Sequence, residues 1–198
     1  SRASARASSP SRAAGCAAAG RRAPGPVARQ GQAAQQGQAA RQGQARPEWL
    51  EGAIASMLRL NRHAMHLARA AGVRAATDIT GFGLLGHVWE MASRSGVGVE
   101  VRAAAVHLLE GAHESSAMGV HTGGEARNRE WVGNRVAFGR DVDPDIAALL
   151  FDPQTSGGLL IAVRPRKAVA FEAAFSRDAT AVWRIGRAAA GAPAIRVV

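Results

Sequence analysis

Cysteine is almost missing from this chain. The single Cys16 excludes an internal disulfide framework and any cysteine-rich zinc site, and such usage suits a reducing compartment. Lysine is as rare, since Lys167 is the only one and every other base is arginine. No apolar run approaches the roughly 18 residues that a membrane-spanning helix needs, so the expectation is a chain without a membrane span, working in the cytoplasm. No acidic residue precedes Glu48. The sequence also has no Walker loop, no Gly-x-Ser-x-Gly elbow and no paired Cys or His metal signature, which removes the commonest motif-bearing enzyme classes.

What is present is unevenly distributed. The net charge of +10 suggests a nucleic-acid binder until it is located. Residues 1–47 hold eight arginines and no acid, whereas residues 48–198 set 17 bases against 15 acids. The basic character therefore belongs to the front of the chain. A specific nucleic-acid function for the remainder is not expected, although an arginine-rich tail can bind polyanions without specificity. Residues 1–46 are Ala, Arg, Gly, Gln, Ser and Pro, with Val27 the only large apolar side chain. Such a segment cannot bury enough surface to offset its ordering entropy and is expected to be disordered. It contains a polar hexapeptide repeat at residues 29–34 (RQGQAA), 35–40 (QQGQAA) and 41–46 (RQGQAR), which reads as a linker because no unit has a hydrophobic face to stack. An Arg/Ser/Ala-rich, acid-free start also fits a transit peptide. The preferred reading is a segment foreign to the domain that follows, from a truncated or frame-shifted gene.

From Pro47 to residue 198 the texture is that of one folded domain. Pro47 suits a helix start, with Glu48 and Glu51 at the positive end of the dipole. Trp49, Ala53, Ile54, Met57, Leu58, Asn61, Ala64, Met65 and Ala68 follow helical spacing, and Gly72 is a natural C-cap, so the reading is one long amphipathic helix. His63 and His66 have no carboxylate or thiol at ligand spacing and read as rim residues. Residues 73–79 read as a strand that delivers Asp78, residues 97–102 as a second strand and residues 106–118 as a helix. Asp143 reads as an N-cap ahead of Pro144. Residues 159–163 form an apolar run suited to an inner strand. A helix over residues 167–175 and strands at 181–185 and 194–198 complete the chain.

Two stretches carry chemistry. In Thr77-Asp78-Ile79-Thr80-Gly81-Phe82-Gly83 a carboxylate sits at a strand end before a glycine turn and a helix. The glycines permit close backbone approach and positive φ, the first helical N–H groups are expected to face an anion, and Asp78 offers a hard oxygen to Mg²⁺. In Asp152-Pro153-Gln154-Thr155-Ser156-Gly157-Gly158-Leu159-Leu160 the carboxylate and Ser156 are expected to bond loop N–H groups, while the glycine pair admits close packing. His87 reads as structural, bonded to a nearby carbonyl. The loop around Gly123-Gly124, with Arg127-Asn128, reads either as the edge of a cleft or as a turn whose Asn128 caps a helix.

Together, in this order and spacing, the two stretches resemble the C-terminal half of the selenophosphate synthetases (selenide, water dikinases), from about Pro47 to Ile185. The resemblance implies the C-terminal domain of the aminoimidazole ribonucleotide synthetase-like fold, an α+β layer with helices on one face of a mixed four-stranded sheet. It implies ATP, selenide and water as substrates, and selenophosphate, AMP and phosphate as products. Mg²⁺ and ATP would act in the complete enzyme, a homodimer, with Asp78 as metal ligand and Thr80, Gly81 and Gly83 near the nucleotide. The family's reactive Cys or selenocysteine and its following lysine belong to an N-terminal half. Cys16 has no lysine after it and lies about 60 residues before Asp78, so no catalytic residue is assigned and the chain alone is expected to be inactive. Two alternatives stay open: another ATP-dependent enzyme of the superfamily, or a non-catalytic module that docks on an intact synthetase.

Overall fold

The computed structural model describes residues 14–21 and 45–198. Seven strands and seven α-helices are formed by these residues, and the strands make one mixed sheet. The strands are β1 (Ala14–Arg21), β2 (Ala75–Asp78), β3 (Val97–Val101), β4 (Val136–Phe138), β5 (Leu159–Val163), β6 (Thr180–Ala190) and β7 (Ala194–Val197). Their order is β2-β5-β1-β6-β3-β7-β4. Pairing is antiparallel from β2 through β3, and parallel between β3 and β7 and between β7 and β4. The helices are α1 (Pro47–Met57), α2 (Arg62–Ala70), α3 (Gly83–Ser95), α4 (Ala112–Ala117), α5 (Gly123–Val132), α6 (Pro144–Leu149) and α7 (Ala168–Arg177).

The expected mixed sheet with packed helices is present, but it has seven strands where four were expected, and helices lie on both faces where one was expected. Strand β5 shows the second difference, because it is apolar at successive positions and is buried on both sides. Leu160 joins the core beneath α3 with Leu85, Val88, Ala92, Val101, Ile185 and Ile195. Leu159, Ile161 and Val163 face the other way, against Ala64 and Ala68 of α2 and Phe171 and Phe175 of α7. Helices therefore cover both faces of the sheet at β5. Each fully buried Leu, Ile or Phe contributes about 2–3 kcal/mol, and these two clusters hold the site's elements in place.

Within the segment read as disordered, Ala14–Arg21 forms β1, paired with β5 on one side and β6 on the other. Pairing needs backbone N–H and C=O groups only, and without β1 both neighbours would present open edges. The hexapeptide repeats lie outside the described residues except for 45–46. The long helix expected from residue 47 is two helices, broken at Leu58–Asn61, where Leu58 and Leu60 are exposed and Asn61 turns toward the β2 loop. The helix expected over residues 106–118 shrinks to α4, because Gly111 takes φ +76° and its position is filled by the Trp49 ring, which a Cβ would meet at 2.1 Å.

Candidate functional site

The two motif loops lie against each other, joined by their backbones. Ile79 N–H donates to Gly158 O (2.9 Å), Gly157 N–H to Ile79 O (2.9 Å) and Gln154 N–H to Thr80 O (3.0 Å). Leu85 N–H donates to Leu150 O (3.0 Å), so the join continues into the first turn of α3. Glycine is required on both sides. A Cβ on Gly157 would sit 2.5 Å from Ile79 O, and one on Gly83 would sit 2.6 Å from Phe151 O at a φ of +67°. Asn128, on α5 and buried, bridges the pair: its Nδ2 donates to Gly81 O and to Phe151 O, both at 2.8 Å. It lies within the helix and does not cap it. Thr122 caps α5 by accepting from Glu125 N–H (3.2 Å).

Asp78 ends β2 and is exposed. Its Oδ1 accepts from Asn61 Nδ2 (2.7 Å), and the same amide donates to Gly157 O (2.8 Å). Asn61 thereby fixes one oxygen of an exposed carboxylate and ties it to the second loop. Thr80, Gly81 and Gly83 follow on the same turn. The expected free N–H groups at the start of α3 are partly taken: Gly83 N–H donates to Thr80 O (3.0 Å), besides the Leu85 bond. His87 closes the turn from inside. Its Nε2 accepts from Thr80 N–H (3.0 Å), placing the ring proton on Nδ1 toward Glu90 Oε2 (3.1 Å). Its role is structural, but through a backbone N–H and a carboxylate, not a carbonyl.

Asp152 is wholly buried, and its partner differs from the expected loop N–H groups. Thr122 Oγ1 donates to Oδ1 (2.7 Å), and among the described residues Oδ2 has no hydrogen-bond partner. Burial, aided by nearby Glu125, pushes this carboxyl up to about 7, against the opposing Thr122 bond. Asp152 has the surroundings of a structural acid and lies away from solvent.

Among the described residues, one group of three metal-ligating side chains gathers within 4.8 Å: His113, Asp143 and Asp145. Asp78 is not part of it. Asp143 is engaged as the expected N-cap, with Oδ1 accepting from Asp145 N–H (2.8 Å) and Ile146 N–H (3.2 Å). These bonds hold its carboxyl below the usual range. The exposed aromatic pair Phe82 and Trp131, with ring centroids 5.0 Å apart, stacks beside the β2–α3 turn.

Residues 33–198 match the family described as AIR synthase related protein, C-terminal domain. The chain belongs to that family. It is 47% identical over 116 residues to a selenide, water dikinase of Caldanaerobacter subterraneus subsp. tengcongensis, a match covering 59% of this chain and 33% of the relative. It is 42% identical over 148 residues to a selenide, water dikinase of Bordetella bronchiseptica, covering 75% and 42% respectively. The chain thus spans a third to two fifths of these relatives. A thiamine-monophosphate kinase from Stenotrophomonas maltophilia shares the fold, with a TM-score of 0.61 at 20% identity over 95% of this chain and 51% of that one. The sequence singled out Asp78 and both glycine motifs, and the structure brings the two motif loops together. Asn61, Asn128 and Thr122 were missed as partners. The one signal for Asn61 was an amide standing in an otherwise apolar helical stripe.

Proposed function

We propose that residues 47–198 act as the C-terminal domain of a selenophosphate synthetase, which converts ATP, selenide and water to selenophosphate, AMP and phosphate. The observation that carries this reading is Asp78: exposed at a strand end, its Oδ1 fixed by Asn61. A Mg²⁺ ion takes oxygen ligands and binds largely through substrate phosphates. Asp78 Oδ2 suits one such position, and the ion would neutralise charge along a polyphosphate during phosphoryl transfer. Among the described residues Asp78 belongs to no group of three metal-ligating side chains, so the remaining oxygens would come from substrate phosphates, water and other parts of a longer protein. Thr80 and Gly83 shape the turn through bonds to His87 and to each other. Gly81 is open on its outer side, where an added Cβ would meet nothing within 4 Å. Gly81 is therefore the place for a phosphate to approach. The homodimer and the cytoplasmic setting belong to the same reading.

The test is a chimera in which residues 47–198 replace the matching third of the Caldanaerobacter relative. It is expected to release AMP from ATP in a selenide-dependent manner, while the chain alone releases none. A folded but inert chimera, or AMP release by the chain alone, contradicts the reading.

A further inference from the structure

Helix α3 has its N-terminus at the Asp78 turn, and its other end borders a separate space. Met91, Ala92 and Ser95 of α3, with Val97 and Val99 of β3 and Ala162 of β5, enclose much of a cavity of about 270 Å³. Residues 188–190 of β6, all alanine, form another wall. Ala162 of β5 and residues 188–190 of β6, on strands of the same sheet, carry only methyl side chains, which accounts for the space beneath the helix. The rim is of a different kind. Arg74, Arg164 and Lys167 stand there, and no Asp or Glu of the described residues lines the cavity. Among the described residues neither Arg74 nor Arg164 has a hydrogen-bonding or ionic side-chain partner. Lys167 donates to Ala71 O (3.1 Å) and lies over Gly72, where a Cβ would meet its Nζ at 2.7 Å. An ammonium has three donors, so two remain.

An apolar chamber with an unneutralised cationic rim selects a ligand with an apolar body and an anionic head. The volume is below the usual range of about 300–1,000 Å³ for drug-sized ligands, which restricts the body to a short acyl chain or one ring. We propose that this cavity binds a small apolar carboxylate, with its body under α3 and its carboxylate held by Lys167, Arg164 and Arg74. The site lies at the opposite end of α3 from Asp78 and is independent of the phosphoryl-transfer reading.

The test uses the full chain with octanoate as probe, followed through the methyl resonances of Met91, Val97 and Val99. Octanol and acetate serve as the headless and bodiless controls. Saturable shifts of the methyls of these three residues are expected with octanoate, at an affinity at least tenfold above either control. The double substitution Arg74→Gln and Arg164→Gln, both exposed, is expected to weaken octanoate at least tenfold with an unchanged melting midpoint. Ala92→Leu is expected to abolish the shifts by filling the chamber. Equal binding of octanol, insensitivity to the rim substitutions, shifts confined to other methyls, or no binding at 10 mM octanoate (a concentration about tenfold above a 1 mM Kd) each overturns the proposal.

Discussion

Asn61 and Asp152 show how far single side chains decide the behaviour of the two loops. Asn61 makes two bonds from one amide nitrogen, to Asp78 and to Gly157 O. Asn61→Ala is expected to cost about 1–2 kcal/mol in urea unfolding. In the chimera it is expected to raise the Mg²⁺ requirement roughly 10- to 100-fold, as loss of a residue that orients a metal ligand does. Retention of the wild-type Mg²⁺ dependence would remove Asn61 from that role. Asp152 gives a pH signature. Its folded carboxyl titrates near 7, above its unfolded value of 3.8, so the fold favours the protonated form. Its stabilising contribution is full below the unfolded value and is lost as pH rises through about 7. Stability measured by urea unfolding is expected to be about 2 kcal/mol lower at pH 8.5 than at pH 5.5. Asp152→Asn is expected to flatten that slope, and an unchanged slope would place the titrating group elsewhere.

At the scale of elements, the site is a junction between the β2–α3 turn and the loop entering β5. The junction depends on glycine where two backbones approach too closely for any side chain. Gly83→Ala would place a methyl against Phe151 O at a positive φ, and is expected to destabilise the chain by about 2–4 kcal/mol. Gly81→Ala, on the open side of the same turn, is expected to cost under about 1 kcal/mol. A thermal-melt comparison decides, and equal costs would mean that the junction adjusts. These elements were partly readable in advance. Asp78, Gly81 and Gly83 stood out because a carboxylate before a glycine turn is a local pattern. Asp143 stood out because its cap lies within three residues. The break at Leu58–Asn61 was not readable, because Leu58, Asn61 and Ala64 keep helical spacing through it. What bends the chain there is a bond from Asn61 to Gly157, 96 residues away. The same distance problem hid Asn128, whose partners Gly81 and Phe151 lie on two other segments.

At the scale of the molecule, the sheet holds two groups of strands, β2-β5 and β6-β3-β7-β4, joined by β1. Composition registers side chains and so does not reveal β1, which is held through backbone pairing. No helix of the described residues is long and apolar enough to cross a membrane. The match spans a third of the Caldanaerobacter relative's length, and among the described residues Asp78 belongs to no group of three metal-ligating side chains. In the proposed function, catalysis takes place at a surface completed by parts of a longer protein. The most direct measurement is selenide-dependent AMP formation by the chimera carrying Asp78→Asn. The account predicts a fall of at least about 100-fold, the scale of losing one preorganised charge-stabilising group, with the melting midpoint unchanged. Wild-type turnover by the Asp78→Asn chimera would contradict it.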